Sequence, residues 1–352
     1  MKRRLLVLVA LAGIALAASV AIVPLAGQTP AAARATAVGR SGSVLRTAWG
    51  QPDLQGVWAS NSATPLERPK QLQGRQFLTE AEVAQLQRRA AELFDGETDA
   101  AFGDSVFAAV LDNKKTFTSN DGGTGNYNHF WLVERSFDNR TSLIIDPPDG
   151  RLPPMIPEAQ ARQKQAAEYR RLHPADGPED RNPGERCLGG GVPMVGRGYN
   201  SNYQILQTPD QVVIHMEMMH DTRIIPLDGR SHLSQNIRAS MRDSRGRWEG
   251  NTLVVETTNL QRTRGAAANS GSGVHLTERF TRVAPDRLHY EYTVNDPGTY
   301  TKPYTARIVM TPSPGSGKIY EFACHEGNHG LVGILGGHRA QEKMAASVNG
   351  SK

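Results

Sequence analysis

The feature that most limits the possible folds is a series of short segments between residues 203 and 324 in which apolar and polar residues alternate. Short turn-forming connections such as Leu227-Asp228-Gly229 and Glu249-Gly250-Asn251 separate them. Alternation with a period of two is typical of strands that bury one face, and closely spaced strands without intervening helices form a sandwich or an up-and-down barrel. We predict strands at 203–207, 212–218, 223–226, 252–258, 276–283, 287–294, 305–310 and 319–324.

The N-terminal segment indicates export from the cytoplasm. Lys2, Arg3 and Arg4 precede an apolar run over residues 5–26, and small residues follow up to Ala35. This pattern is typical of a secretory signal. The run is also long enough to span a bilayer, so a cleaved signal peptide and a retained membrane anchor are both open. We predict a periplasmic or secreted protein whose contact with a membrane is limited to this possible anchor.

The charge of the chain does not favour a nucleic-acid partner. The formal net charge of +5 includes Lys2, Arg3, Arg4 and Arg34, so cleavage after Ala35 leaves about +1. The basic surface that phosphate binding requires is therefore not expected. We predict a small-molecule ligand or substrate as the partner instead.

Composition divides the chain into consecutive regions. Residues 1–35 are the signal peptide or anchor, and residues 36–50, rich in small residues, are a flexible leader. Residues 51–202 contain helix, hairpin and loop patterns and are predicted to pack on the barrel. Residues 203–342 contain the antiparallel barrel and a short C-terminal helix, and residues 343–352 form a tail.

Local signals inside residues 51–202 are clearest for the helices. Thr79 followed three residues later by Glu82 is a capping box, and it predicts a helix that begins there. A second helix is predicted over residues 158–172. A hairpin is predicted from residues 130–133 and 142–145, which flank a turn.

One strand carries candidate site residues. Alternation along residues 212–218 places Met216 and Met218 on the inner face and extends to His220, whose imidazole is suited to acid/base chemistry. A structural histidine bonded to a carbonyl or to Asp221 is the alternative. The soft side chains of this stretch would also suit copper, although a strand divides such ligands between two faces.

Further candidates lie on the following strands. Glu278 sits between Leu276 and Phe280 on one face of its strand, and Glu256 sits between Val254 and Thr258. Burial there would favour acid/base work unless an arginine pairs with them. Tyr290 and Tyr292 share a face and either line a pocket or fill the core. Structural roles are therefore open for all four residues.

The string His325-Glu326-Gly327-Asn328-His329 matches the pattern of zinc metalloproteases. That chemistry needs a helix through the motif, so that both imidazoles reach one metal. Gly327 and Asn328 are poor helix formers, and the preceding residues resemble a strand. We therefore predict the end of a strand that turns into a helix, with no metal ligand.

The sequence does not decide whether the two cysteines, Cys187 and Cys324, are paired, free or bound to a metal. In an oxidising compartment they can pair, and two free or metal-binding thiols are the alternatives. Spacing alone does not show whether their Cα atoms approach each other.

Several longer strings occur together in the chain. They are QPDLQGVW at 51–58, IDPPDGR at 145–151, HDTRIIPLDG at 220–229, RGRWEG at 245–250, LTERF at 276–280 and ACHEGN at 323–328. In this combination the chain resembles an uncharacterised family of secreted bacterial β-rich proteins that is numerous in soil bacteria. Gly56-Val57-Trp58 also resembles the G-x-W of the first strand in lipocalin-like barrels, which implies a cup for a small ligand.

These observations predict a mainly β protein, an antiparallel up-and-down lipocalin-like barrel with N-terminal helices and long loops. The leading hypothesis is a cofactor-independent acid/base enzyme of the lyase, isomerase or hydrolase type, acting on a small organic molecule or glycoside. His220 would be acid or base with Glu256 and Glu278 as partners, and His325 and Glu326 would lie at the rim. The alternatives are a non-catalytic binding protein for an apolar ligand or a metal ion, and an envelope scaffold.

Overall fold

The computed structural model describes residues 45–94, 104–118, 135–189, 191–196, 199–237, 243–260, 273–314 and 317–350. All of them belong to one compact unit, Val44–Lys352. The predicted signal segment and the first half of the predicted hairpin, residues 130–133, lie outside the described residues.

Ten antiparallel strands in the described part of the chain form a nearly closed barrel, which confirms the predicted lipocalin-like fold class. The neighbours around the barrel are β5-β4-β3-β1-β10-β9-β8-β7-β6, and β2 pairs with β10 outside this path. Most consecutive strands are neighbours, so short turns suffice as connections. The strands are β1 (Gly56–Ala59), β2 (Ile144–Asp146), β3 (Asn202–Gln207), β4 (Gln211–Met216), β5 (Thr222–Pro226), β6 (Asp243–Glu249), β7 (Thr252–Thr258), β8 (His275–Ala284), β9 (Arg287–Asn295) and β10 (Tyr304–Pro312).

Four α-helices accompany the barrel in the described regions: α1 (Glu80–Leu93), α2 (Asp104–Leu111), α3 (Pro157–Leu172) and α4 (His329–Gly350). The predicted capping box is confirmed, because Thr79 accepts the Glu82 N–H and Glu82 accepts the Thr79 N–H. Hydrogen bonds from Arg75 and Thr79 lower the pKa of Glu82 to about 2. None of the helices described is long and apolar enough to cross a bilayer.

Side chains fill the interior of the barrel. The alternating strand patterns place one face of each strand inside, and Trp58, Ile214, Phe280 and Tyr290 are almost completely buried there. The rings of Phe280 and Tyr290 lie 4.9 Å apart. The interior of a barrel of about eight strands can be filled by side chains or can hold one small ligand, and here buried side chains fill it. The centre is therefore a core, and space for a ligand has to lie towards an end.

The barrel closes between β5 and β6 without ladder hydrogen bonds, because these strands are the two ends of the hydrogen-bonded order. Arg223 on β5 crosses this seam and donates to Glu278 on β8 at 2.7 and 3.1 Å. It also donates to Ser244 on β6 at 3.0 Å and Thr257 on β7 at 3.3 Å. Burial alone would lower the pKa of Arg223, but the charge and hydrogen bonds of Glu278 outweigh burial and raise it.

The backbone of β6 packs closely on side chains of β5 and of the residue after it, where the barrel closes. A Cβ atom at Gly246 of β6 would lie 2.7 Å from Leu227 Cδ2 and 2.9 Å from Ile225 Cγ2. Only glycine leaves room for β6 to pack this closely on the side chains of β5 and the residue that follows it. Apolar packing and one buried ion pair thus replace the missing strand pairing.

The structure corrects two of the predicted strands. The strand predicted at 212–218 ends at Met216, because Met219 and His220 adopt left-handed backbone angles, with φ of 63° and 53°. Residues 319–324 are not a strand. Their backbone donors bond side chains instead of a ladder: Tyr320 N donates to Glu217 and Phe322 N donates to His220.

Two further elements differ from expectation. Strand β6 was not predicted, because its charged residues leave only a weak apolar alternation. The C-terminal helix was predicted to be short, with a tail from residue 343. Helix α4 instead continues to Gly350, since residues 340–348 are mostly strong helix formers.

We predict that Glu278→Gln lowers the free energy of unfolding by about 3–5 kcal/mol, because the substitution leaves the buried Arg223 guanidinium without a charged partner. Urea denaturation followed by circular dichroism measures the change. Glu256→Gln is the matched control, since Glu256 pairs with the half-exposed Arg247 on the surface and should cost less than about 1 kcal/mol. Equal losses in the two variants would contradict the role of the seam.

Candidate functional site

A cavity of about 240 Å³ lies at the end of the barrel where β4 ends and β3 and β5 begin. We call it the mouth pocket. Its wall combines apolar and polar residues from the strands and from the segment that precedes β3. The residues that matter most for its chemistry are Val192, Pro193, Tyr203, Met216, Met218 and Asp221.

The apolar wall is built on paired strands. Tyr203 on β3 and Met216 on β4 are directly opposite each other in the antiparallel register, and both are largely buried. Met218 follows after the strand has ended and lines the same cavity. The sequence predicted Met216 and Met218 as pocket residues, and both lie there, although Met218 arrives through a turn rather than by strand alternation.

The polar wall contains a carboxylate. Asp221 lines the cavity together with Asn200 and Ser201. A Cβ atom at Gly189 would lie 1.6 Å from Asp221 Oδ2, so only glycine allows the backbone at residue 189 to pass so close to the carboxylate. The loop that contains Gly189 therefore passes directly beside the Asp221 carboxylate.

The segment of residues 191–196 forms the remaining wall and is anchored in the core. Met194 is almost fully buried, and its backbone N–H donates to the Tyr290 hydroxyl at 3.0 Å. That hydroxyl donates to Glu278 Oε1 at 2.8 Å. The ion pair at the seam is thereby connected to the wall of the mouth pocket through one tyrosine.

The turn after β4 is strained and closely supported. Glu217 is buried and accepts hydrogen bonds from Asn202 Nδ2 and from the backbone N–H of Tyr320. Met219 and His220 both adopt the left-handed conformation, which costs an ordinary residue on the order of 1 kcal/mol or more. Such backbone strain concentrates at ligand sites and switch regions.

His220 faces the segment that covers this turn. Its Nε2 lies 3.0 Å from the Phe322 N and 3.1 Å from the Tyr320 carbonyl oxygen. Without a proton, His220 Nε2 accepts the Phe322 N–H. With a proton, it donates to the Tyr320 carbonyl oxygen. The His215 ring stacks on the His220 ring, with 5.6 Å between the ring centroids. Burial, and to a smaller extent the nearby His220, lowers the pKa of His215.

The three side chains predicted as an acid/base set lie in separate environments. Glu278 is buried at the seam in its ion pair with Arg223. Glu256 lies on the outer surface, 2.7 Å from Arg247 and 41% exposed. His220 is exposed at the end of the barrel. The structure does not bring these groups together, because burial and ion pairing direct the two glutamates to opposite faces of the barrel wall.

Tyr290 and Tyr292 belong to the packed core rather than to the lining of the mouth pocket. Their rings lie 5.7 Å apart, and burial raises the pKa of both hydroxyl groups. Tyr290 nevertheless supports the site, because it holds the segment around Met194.

Cys187 and Cys324 form a disulfide bond, the pairing that the sequence left open. His325 and Glu326 follow it and are exposed. Helix α4 begins only at His329, so the two histidines of the protease-like string do not share a helical turn. The structure therefore does not form the metalloprotease geometry.

Sequence reasoning missed most of the pocket wall. Val192, Pro193 and Tyr203 were not singled out, and Asp221 was considered only as a partner of His220. Residues 173–202 are rich in proline and glycine and indicated irregular chain, with no signal that part of it enters the barrel end. The reversal at residues 217–221 brings this loop and the strands together, and it depends on tertiary contacts.

The fold and the site define a lipocalin-like antiparallel barrel with a small amphipathic pocket at one end. No protein-family model matches the chain, and no curated protein matches it.

We expect Tyr290→Phe to lower the free energy of unfolding by about 1–3 kcal/mol, because it leaves the buried Met194 N–H without its acceptor. Amide hydrogen exchange at Met194 should become faster at the same time. Tyr292→Phe, the same change two residues along the strand, serves as the control and should leave that amide protected. Unchanged exchange at Met194 in Tyr290→Phe would show that the hydroxyl does not hold this wall.

Proposed function

We propose that this protein binds a small amphipathic molecule in the mouth pocket and acts outside the cytoplasm. The observation that supports the proposal most is the joining of an apolar wall of Tyr203, Met216 and Met218 to a carboxylate, Asp221, around one cavity. Ligand sites in proteins combine mostly apolar walls with a few placed polar groups. The export signal predicted at residues 1–35 supports the compartment.

The lining favours one class of ligand. The flexible thioethers of Met216 and Met218 adapt to apolar and aromatic bodies, and the tyrosine ring offers a flat face. A carboxylate at the edge favours a cationic or hydrogen-bond-donating group. The volume of about 240 Å³ is below the range of about 300–1,000 Å³ typical of drug-sized ligands. A compact aromatic amine fits all three conditions.

Hydrogen bonds and a disulfide hold the walls of the mouth pocket in place, and this favours ligand binding. The wall at residues 191–196 is bonded to Tyr290, and the disulfide between Cys187 and Cys324 ties the preceding loop to the covering segment. A pocket whose walls are held before the ligand arrives loses less conformational entropy when it binds. These contacts favour a rigid receptor over a surface that forms only on binding.

An acid/base reaction is the second candidate. The strained His220 immediately precedes the pocket carboxylate Asp221 in the chain, and imidazole and carboxylate groups are the usual carriers of acid/base chemistry. Glu256 and Glu278 would take no part in this chemistry, since one lies on the outer surface and the other is held by Arg223. A lyase or isomerase of this kind would act on the same bound molecule.

We predict that the purified protein binds compact aromatic amines, and that Met218→Trp weakens this binding at least about ten-fold by filling the pocket. Isothermal titration calorimetry measures the affinity. Met344→Trp is the matched control, because Met344 lies on the exposed surface of α4 and the same change should leave the affinity unaltered. Asp221→Asn should weaken amines more than neutral analogues of the same shape.

The outcomes separate the candidates. Binding that is equal in Met218→Trp and wild type would reject the mouth pocket as the site. Conversion of the bound amine into a product, detected by mass spectrometry and lost in His220→Gln, would establish the acid/base reaction. Binding without conversion would establish the receptor.

A further inference from the structure

We propose that Asp176, His338 and Glu342 form a binding site for a divalent transition-metal ion of the Zn²⁺ class. One potential ligand atom of each residue lies within 4.8 Å of the other two. The site joins the loop after α3 to the middle of α4, and it is separate from the mouth pocket and its lining.

The helix prearranges two of the ligands. His338 and Glu342 are four residues apart on α4 and therefore lie one above the other on the same face. His338 Nδ1 is 3.4 Å from Glu342 Oε1, a separation that two ligands of one ion can adopt, since zinc–ligand distances are about 2 Å. Asp176 approaches from a different element, so the ion would bridge helix and loop.

The imidazole of His338 supplies the observation that points to an ion. Its Nδ1 atom is buried and has no hydrogen-bond partner among the residues that the structure describes. A buried polar nitrogen without a partner is unfavourable. This nitrogen lies 3.4 Å from Glu342 Oε1, and a bound cation would give it a partner while sharing the two carboxylates with His173 and Arg339.

Neighbouring residues supply a supporting shell. His173 Nδ1 lies 2.6 Å from Asp176 Oδ2, and this hydrogen bond holds the carboxylate in place. A bond of this type orients a ligating carboxylate. Arg339 holds both oxygens of Glu342 at 2.6 and 2.7 Å, so an ion would replace one of these two bonds.

The three side chains of the proposed site favour one class of metal ion. An imidazole nitrogen combined with carboxylate oxygens suits Zn²⁺ and related transition metals, whereas Ca²⁺ and Mg²⁺ prefer oxygen ligands alone. Three protein ligands leave a position for water.

A metal here would complete the attachment of α4. The disulfide between Cys187 and Cys324 secures the chain just before this helix, and Asn328 donates to the Glu185 carbonyl at 2.9 Å. Beyond that point most of α4 is exposed. Arg339 Nη2 already joins α4 to the loop after α3, because it donates to the carbonyl oxygens of Ala175 and Asp176. An ion on His338 and Glu342 would reinforce this connection.

The test titrates Zn²⁺ into the full-length, disulfide-intact, metal-free protein by calorimetry and records the melting temperature with and without the ion. We expect one ion per chain, a raised melting temperature, and an affinity weakened at least about ten-fold in both His338→Gln and Glu342→Gln. His329→Gln is the matched control, since His329 is an exposed histidine on the same helix and should leave the affinity unchanged.

Three results with Zn²⁺ would overturn the proposal, and one with Mg²⁺ would do the same. The three are the absence of Zn²⁺ binding, binding that is unaffected by His338→Gln and Glu342→Gln, and binding that is lost in His329→Gln. An equal response to Mg²⁺ would indicate unspecific attraction to acidic groups and would also reject the site. Circular dichroism of each variant establishes that α4 remains folded, so a loss of affinity reports on the ligands.

Discussion

The barrel depends on the Arg223–Glu278 ion pair, because this pair joins strands that hydrogen bonding leaves apart. β5 and β6 are the two ends of the paired order, and apolar packing alone would tolerate small shifts between them. A buried charge without its partner costs several kcal/mol, so the two side chains accept few alternative arrangements. The ion pair therefore contributes to how the seam closes, together with the packing of Gly246 on Leu227 and Ile225.

The same interaction extends to the candidate site. Glu278 accepts from Tyr290, and Tyr290 accepts from the backbone of Met194 in the wall of the mouth pocket. The residues that close the barrel thus also position part of its end. This arrangement explains why a carboxylate suggested as a catalyst from its sequence context serves as a structural anchor, while the carboxylate that lines the mouth pocket, Asp221, follows the turn after β4.

The strands and helix starts were largely predictable, whereas the site was not. Alternation located seven of the eight predicted strands to within a few residues, and the Thr79–Glu82 capping box located the start of α1, since both signals arise from neighbouring residues. The segment at 319–324 has a similar alternation but bonds the side chains of Glu217 and His220. Whether an alternating segment finds a strand edge depends on the rest of the fold.

By itself, the sequence determined the class of fold, since period-two alternation and tight turns leave few ways to bury the apolar faces. Alternation also placed Met216 on the inner face of its strand, where it is buried. Tertiary structure alone decided which polar groups meet. Arg223 and Glu278 are 55 residues apart, Cys187 and Cys324 are 137 apart, and Asp176 reaches His338 across most of the chain's second half. Such contacts leave no local pattern, because they depend on how the closed barrel brings distant segments to one place.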